Sequence, residues 1–140
     1  MKPALSLMWQ TAISPTISPM NETANNIRLL IADDNAATRA ATIALLESSV
    51  HRAAIWEAAD GEEAVQLAKT VQPDVILMDV QMPKLDGIEA TKRIKQCWPA
   101  IKIIVMTMYI TYRAAALAAG ADVFLLKGGS VDGLITAVFQ

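Results

Sequence analysis

Five short apolar runs, each parted from the next by an amphipathic stretch, constrain this chain more than any other feature. They are IRLLIA at 27–32, AAIWEA at 53–58, DVILM at 74–78, IKIIVM at 101–106 and the end of ADVFLL at 122–126. The third and fourth are almost continuously apolar, as strands are when both faces of a parallel sheet are covered. Parallel neighbours cannot be joined by tight hairpins and need crossovers of a dozen or more residues, usually helical. The intervening patterns supply them, with helices expected over 36–48, 61–71, 86–97, 110–119 and from 131 to the end. Asp60 followed by Gly61-Glu62-Glu63 places an N-cap and acidic first-turn residues before the second helix. Gly120 follows the fourth, where a glycine readily ends a helix. The alternation therefore predicts an α/β fold, a doubly wound five-stranded parallel sheet with right-handed crossovers.

A chain of 140 residues holds one domain of ordinary size. No apolar run approaches the roughly 18 residues of a membrane span. A net charge of -2 and a pI near 5.3 exclude the clustered basic surface that nucleic-acid binding by this segment alone would need. Residues 1–26 carry three prolines (Pro3, Pro15, Pro19) and many Ser, Thr and Asn without an apolar period, which predicts a disordered leader or an over-extended start, Met20 being an alternative first residue. The single cysteine, Cys97, permits no internal disulfide, fits a reducing, cytoplasmic compartment and is expected to be a buried or half-buried thiol. His51 is expected on a surface loop.

The polar residues that stop the apolar runs carry the chemistry. The first run ends in Asp33-Asp34, the third in Asp79, the fourth in Thr107 and the fifth in Lys127. In an open parallel sheet the carboxyl ends of the strands share one edge, and ligands bind there near the point where strand order reverses. Four distant parts of the chain should thus converge. Taken singly, Asp33 or Asp34 could cap a helix, Asp79 could form a turn before Pro83, Thr107 could bond nearby backbone, and Lys127 could be a solvated amine. Taken together they describe a pocket. Three adjacent carboxylates repel unless a cation offsets them, and such hard oxygen donors suit Mg²⁺. A carboxylate can also attack phosphorus to give an aspartyl phosphate, while a lysine and a hydroxyl can hold phosphoryl oxygens as charge develops.

The segments LLIADDN, LMDVQMPKLDGIEA, IIVMT and ADVFLLK together resemble the receiver domains of two-component response regulators, over Ile27 to Gln140. The resemblance implies a flavodoxin-like (CheY-like) (βα)5 fold with strand order 2-1-3-4-5. It implies that Asp79 is the phosphoacceptor, that Asp33 and Asp34 hold Mg²⁺ with Asp79 and the backbone carbonyl of Gln81, and that Lys127 binds the phosphoryl group. Thr107 would be the switch hydroxyl and Phe124 the aromatic switch residue, without the hydroxyl of the tyrosine that many receivers carry. FLLKGG, with no proline after the lysine, is similar to the NarL/FixJ class, in which a helix-turn-helix output domain normally follows. The implied partners are a sensor histidine kinase or phosphotransfer protein and, on phosphorylation, a second copy meeting the surface of the fourth helix, fifth strand and fifth helix. On this reading the chain is a signalling domain rather than a stand-alone enzyme. The alternative is a pseudo-receiver that binds partners without phosphorylation. An aspartyl-phosphate phosphatase of the haloacid dehalogenase type would want Asp where Gln81 stands, and a nucleotide-binding relative would want a glycine- or hydroxyl-rich loop in place of ADDNAAT.

Overall fold

The computed structural model describes residues 26–140, so the leader expected over 1–26 lies, apart from Asn26, outside the described residues. Five strands, β1 (Ile27–Ala32), β2 (Ala53–Ala58), β3 (Val75–Met78), β4 (Lys102–Thr107) and β5 (Val123–Leu126), alternate with helices α1 (Ala36–Glu47), α2 (Gly61–Val71), α3 (Gly87–Cys97), α4 (Arg113–Ala118) and α5 (Val131–Phe139). All neighbouring strands are parallel and their order is β2-β1-β3-β4-β5.

Alternate side chains of each strand enter opposite layers, which is why the central runs are apolar at nearly every position. Leu30, Ile76, Met78, Ile103 and Val105 meet Ala64 and Ala68 of α2, Ala90 and Ile94 of α3 and Ala116 of α4. On the other face Leu29, Ile31, Leu77 and Ile104 meet Leu46 of α1 and Leu134 and Val138 of α5. Each large side chain fully buried this way contributes about 1.5–3 kcal/mol of transfer free energy. Asn35, Asp60, Asp86 and Ser130 cap α1, α2, α3 and α5, each side chain accepting from a main-chain N–H three residues on. Asn35, not Asp33 or Asp34, is therefore the cap of the first helix.

Four expectations are corrected. The third strand begins at Val75, because the Asp74 carboxylate leaves the sheet pattern to accept from Arg28 N–H at 2.9 Å. The fourth runs through Thr107, whose carbonyl accepts from Lys127 N–H at 2.8 Å. The helix expected over 110–119 is a 3-10 turn, Ile110–Tyr112, followed by only six α-helical residues. That turn has no side-chain cap, and its β-branched and aromatic residues lose χ1 freedom in a helix. Cys97 is exposed rather than buried. The core stripe of α3 runs through Ala90 and Ile94 to Trp98, so Cys97 falls beside it. His51 is exposed as expected and stacks on Phe139 with ring centroids 4.6 Å apart.

Candidate functional site

Strand order reverses at β1, which lies between β2 and β3, and here the crevice forms. The β1–β3 register pairs Ala32 with Met78, so the next residue on each strand, Asp33 and Asp79, emerges side by side. Main-chain bonds fix both just past the ladder: Asp33 N–H donates to Ala58 at 3.0 Å and Asp79 N–H to Ala32 at 2.9 Å. One oxygen from each of Asp33, Asp34 and Asp79 lies within 4.8 Å of the others, with Asp33 buried, Asp79 half-buried and Asp34 exposed.

Lys127 follows β5, yet its amine reaches back past β4 to stand 3.2 Å from Asp33 Oδ2 and 3.2 Å from Asp79 Oδ2. The other Asp79 oxygen accepts from Val80 N–H at 2.8 Å. Burial pushes the Asp79 carboxyl above the usual aspartate value, and neighbouring Asp33 adds to this against the opposing pull of Lys127 and the Val80 N–H. Burial alone would lower the lysine, but Asp79 and Asp33 overcome it and hold the amine above its ordinary value. The lysine is thus a fixed cation and Asp79 a poorly solvated, basic carboxylate.

Thr107 is buried, and its hydroxyl oxygen accepts a long 3.4 Å bond from Tyr109 N–H. Phe124 is half-buried and pairs in register with Val105, two residues before Thr107, so Thr107 and Phe124 face the same side of the sheet. Gln81 lines an open cleft of about 490 Å³ with Asp34, Met82, Pro83, Asp86 and Tyr112. The structure brings every residue proposed from the sequence to this one edge, Phe124 lying behind it in the layer covered by α4.

Three features escaped the sequence reading. The Gln81 side-chain amide donates to the Tyr112 hydroxyl at 3.1 Å, tying the loop after Asp79 to the turn before α4. A Cβ on Gly87 would lie 1.7 Å from the Asp79 carbonyl oxygen, so only glycine lets α3 begin directly against the loop after β3. The Asp-Gly pair was the sequence's trace of that approach. Arg39 approaches the acidic turn from α1, which no local pattern announces.

Residues 29–139 match the family model described as the response regulator receiver domain. The chain belongs to that family. This receiver is 37% identical over 123 residues to the transcriptional regulatory protein DegU of Brevibacillus brevis, covering 85% of this chain and 52% of DegU. It is also 37% identical over 116 residues to the response regulator protein VraR of Staphylococcus aureus, covering 80% of this chain and 54% of VraR. The chain thus spans about half the length of these relatives. Among solved structures, a LuxR-family two-component response regulator from Aurantimonas matches with a TM-score of 0.74 and 32% identity, over 79% of this chain and 81% of that one. The receiver domain of the response regulator NarL from Mycobacterium tuberculosis matches with a TM-score of 0.74 and 27% identity, over 81% of this chain and 94% of that one. Among the described residues no helix is long and apolar enough to cross a membrane.

Proposed function

We propose that this receiver takes a phosphoryl group on Asp79 from a phosphohistidine of a sensor kinase or phosphotransfer protein. The observation that carries the reading is Lys127 bridging Asp79 and Asp33 at the mouth of a three-carboxylate cluster. An Asp79 oxygen attacks phosphorus, the phosphorus–nitrogen bond to the donor imidazole breaks, and the imidazole nitrogen keeps the electron pair and takes a proton. Val80 N–H and Lys127 orient the nucleophile, and its burial raises its basicity. In this reading Lys127, 3.2 Å from Asp79, and the Thr107 hydroxyl meet the transferred oxygens. The donor set of clustered carboxylates fits Mg²⁺, with Asp33, Asp34, Asp79 and the Gln81 carbonyl as its holders. When bound, that ion neutralises charge on the phosphoryl oxygens. Hydrolysis, in which water attacks phosphorus, the phosphorus–oxygen bond to Asp79 breaks and inorganic phosphate leaves the restored carboxylate, makes the domain its own switch timer, without making it an enzyme in the usual sense.

The output follows from what a phosphoryl group adds, negative charge and acceptor oxygens, next to Thr107. Drawing the threonine inward leaves room on the same face for Phe124 to turn in, which biases the α4-β5-α5 surface between two states. Leu117 and Leu126 are 38% and 41% exposed there, whereas Ala116, Leu134 and Val138 are spent on the core. The exposed set gives a second copy something to bury. An apolar groove of about 730 Å³ beside Lys127, lined by Ala41, Leu45, Phe124, Leu126 and Val131, offers similar cover to a donor protein.

Incubation with Mg²⁺ and acetyl phosphate should add one phosphoryl group by intact mass to the wild type and none to Asp79→Asn. The wild type alone should then sediment as a dimer. Equal uptake by both proteins would overturn the acceptor, and uptake without any change in sedimentation would overturn the dimer. No uptake by either would favour the phosphorylation-independent interaction module.

A further inference from the structure

Arg39 occupies the first turn and a half of α1, which starts after the Asn35 cap. Positive charge is disfavoured there, because the aligned peptide dipoles already place partial positive charge at a helix start. The side chain nonetheless stays in, only 16% exposed. Its Nε donates to Glu57 Oε1 on β2 at 2.7 Å, and its Nη1 donates to the main-chain carbonyl of Asp33 at 2.5 Å. One guanidinium therefore joins α1, β2 and the acidic turn.

The bonded carbonyl belongs to the peptide that links Asp33 to Asp34. Asp33 has its own restraints: its N–H donates to Ala58, Oδ1 accepts from Asn35 N–H at 2.9 Å, and Oδ2 meets Lys127. Asp34 differs. Its side chain is exposed and makes no hydrogen bond or ion pair among the described residues. The direction in which its Cα–Cβ bond leaves the main chain depends on the peptide plane before it, and Arg39 holds the carbonyl of that plane. Glu57 offsets the guanidinium charge, so what reaches the cluster is geometry more than field.

We propose that Arg39 is a positioning residue of the acidic cluster, fixing through the Asp33 carbonyl the angle at which Asp34 presents its carboxylate to a divalent cation. This rests on the reading of the cluster as a Mg²⁺ site. Outer partners that orient metal ligands are commonly worth 10–100-fold in metal affinity.

The test is calorimetric titration of Mg²⁺ into the full chain with no phosphodonor, alongside thermal unfolding in EDTA. Arg39→Met should weaken Mg²⁺ binding about tenfold or more. Arg39→Lys keeps the charge but not the planar fork that serves two acceptors, and should weaken it severalfold. Asp34→Asn is the control for the site itself. Wild-type affinity in Asp34→Asn would sink the cation site and this proposal with it. Loss in Asp34→Asn together with wild-type affinity in both Arg39 variants would overturn the role of Arg39 alone, even if their melting temperatures fell, since Arg39 would then serve only stability. Should Arg39→Met not fold, Arg39→Lys decides the matter by the same measure.

Discussion

The β1–β3 part of the sheet and its β5 edge are built differently. On one side, β3 is buried at all four positions, and α1, α2 and α3 run for 12, 11 and 11 residues. On the other, no residue of β5 is fully buried, α4 has six residues, and the approach to it leaves Met108, Tyr109 and Ile110 exposed at 65%, 52% and 58%. Stability within a fold is not uniform, and sparse burial marks the parts that open or shift at least cost. The three carboxylates grow from the heavily packed side. Lys127 and Phe124 grow from the lightly packed one, and Thr107, itself buried, closes β4 between the two. The carboxylates of the proposed metal site are thereby separated from Thr107 and Phe124 of the proposed switch.

The sharpest way to break this contrast compares two glycines. Gly87→Ala drives a Cβ to 1.7 Å from the Asp79 carbonyl, on the packed side, where main chain cannot yield. It should cost about 3 kcal/mol or more in urea unfolding. Gly128, beyond β5, has nothing within 4 Å of a built Cβ, and only its φ of +83° resists alanine. Gly128→Ala should cost about 1 kcal/mol. Equal costs would mean that the two sides are equally rigid.

The acidity of Asp79 gives a second, smaller effect. A raised folded-state value means the folded protein holds this proton more tightly than the unfolded chain. The associated stability is fully present below the ordinary aspartate value of 3.8 and is lost as pH rises through the folded value. In EDTA, the stability of Asp79→Asn relative to wild type should therefore climb from pH 3.8 upward and then level off. Added Mg²⁺, binding the native wild type, should reverse the trend. A difference that stays flat with pH would show that Asp79 is not strained by its burial.

The smallest effect concerns Thr91, fully buried on α3 with a hydroxyl that finds no partner among the described residues. Thr91→Val keeps the shape and removes the orphan, so unfolding should shift by between zero and about 1 kcal/mol in favour of the variant. A loss beyond 1 kcal/mol would show that the hydroxyl is bonded after all.

Much of this was legible in the sequence. β1, β2 and α2 have the predicted limits, because near-continuous apolar runs and an Asp60 cap are local properties. That Asp33, Asp79, Thr107 and Lys127 share one edge was legible because each stops an apolar run and parallel strands end together, whereas Gln81 and Phe124 came only from the resemblance. What was not legible depends on partners far along the chain. Gly87 against Asp79, Gln81 on Tyr112 and Arg39 on Glu57 are meetings that only the folded sheet arranges. The truncated α4 was hidden because Ala114 to Ala119 have high helix propensity, while the uncapped turn before them does not.

Asp33 and Lys127 stand 94 residues apart in sequence. A chain emerging from its N-terminus completes the strands bearing all three carboxylates well before the amine that neutralises them has been made. Until then the nascent cluster is a patch of uncompensated negative charge, and closing so long a loop is a slow, entropically costly event. Docking of the edge strand β5 thus does more than complete the sheet. It brings the amine that stands against Asp33 and Asp79, and so ends the interval in which the three carboxylates lack that counter-charge.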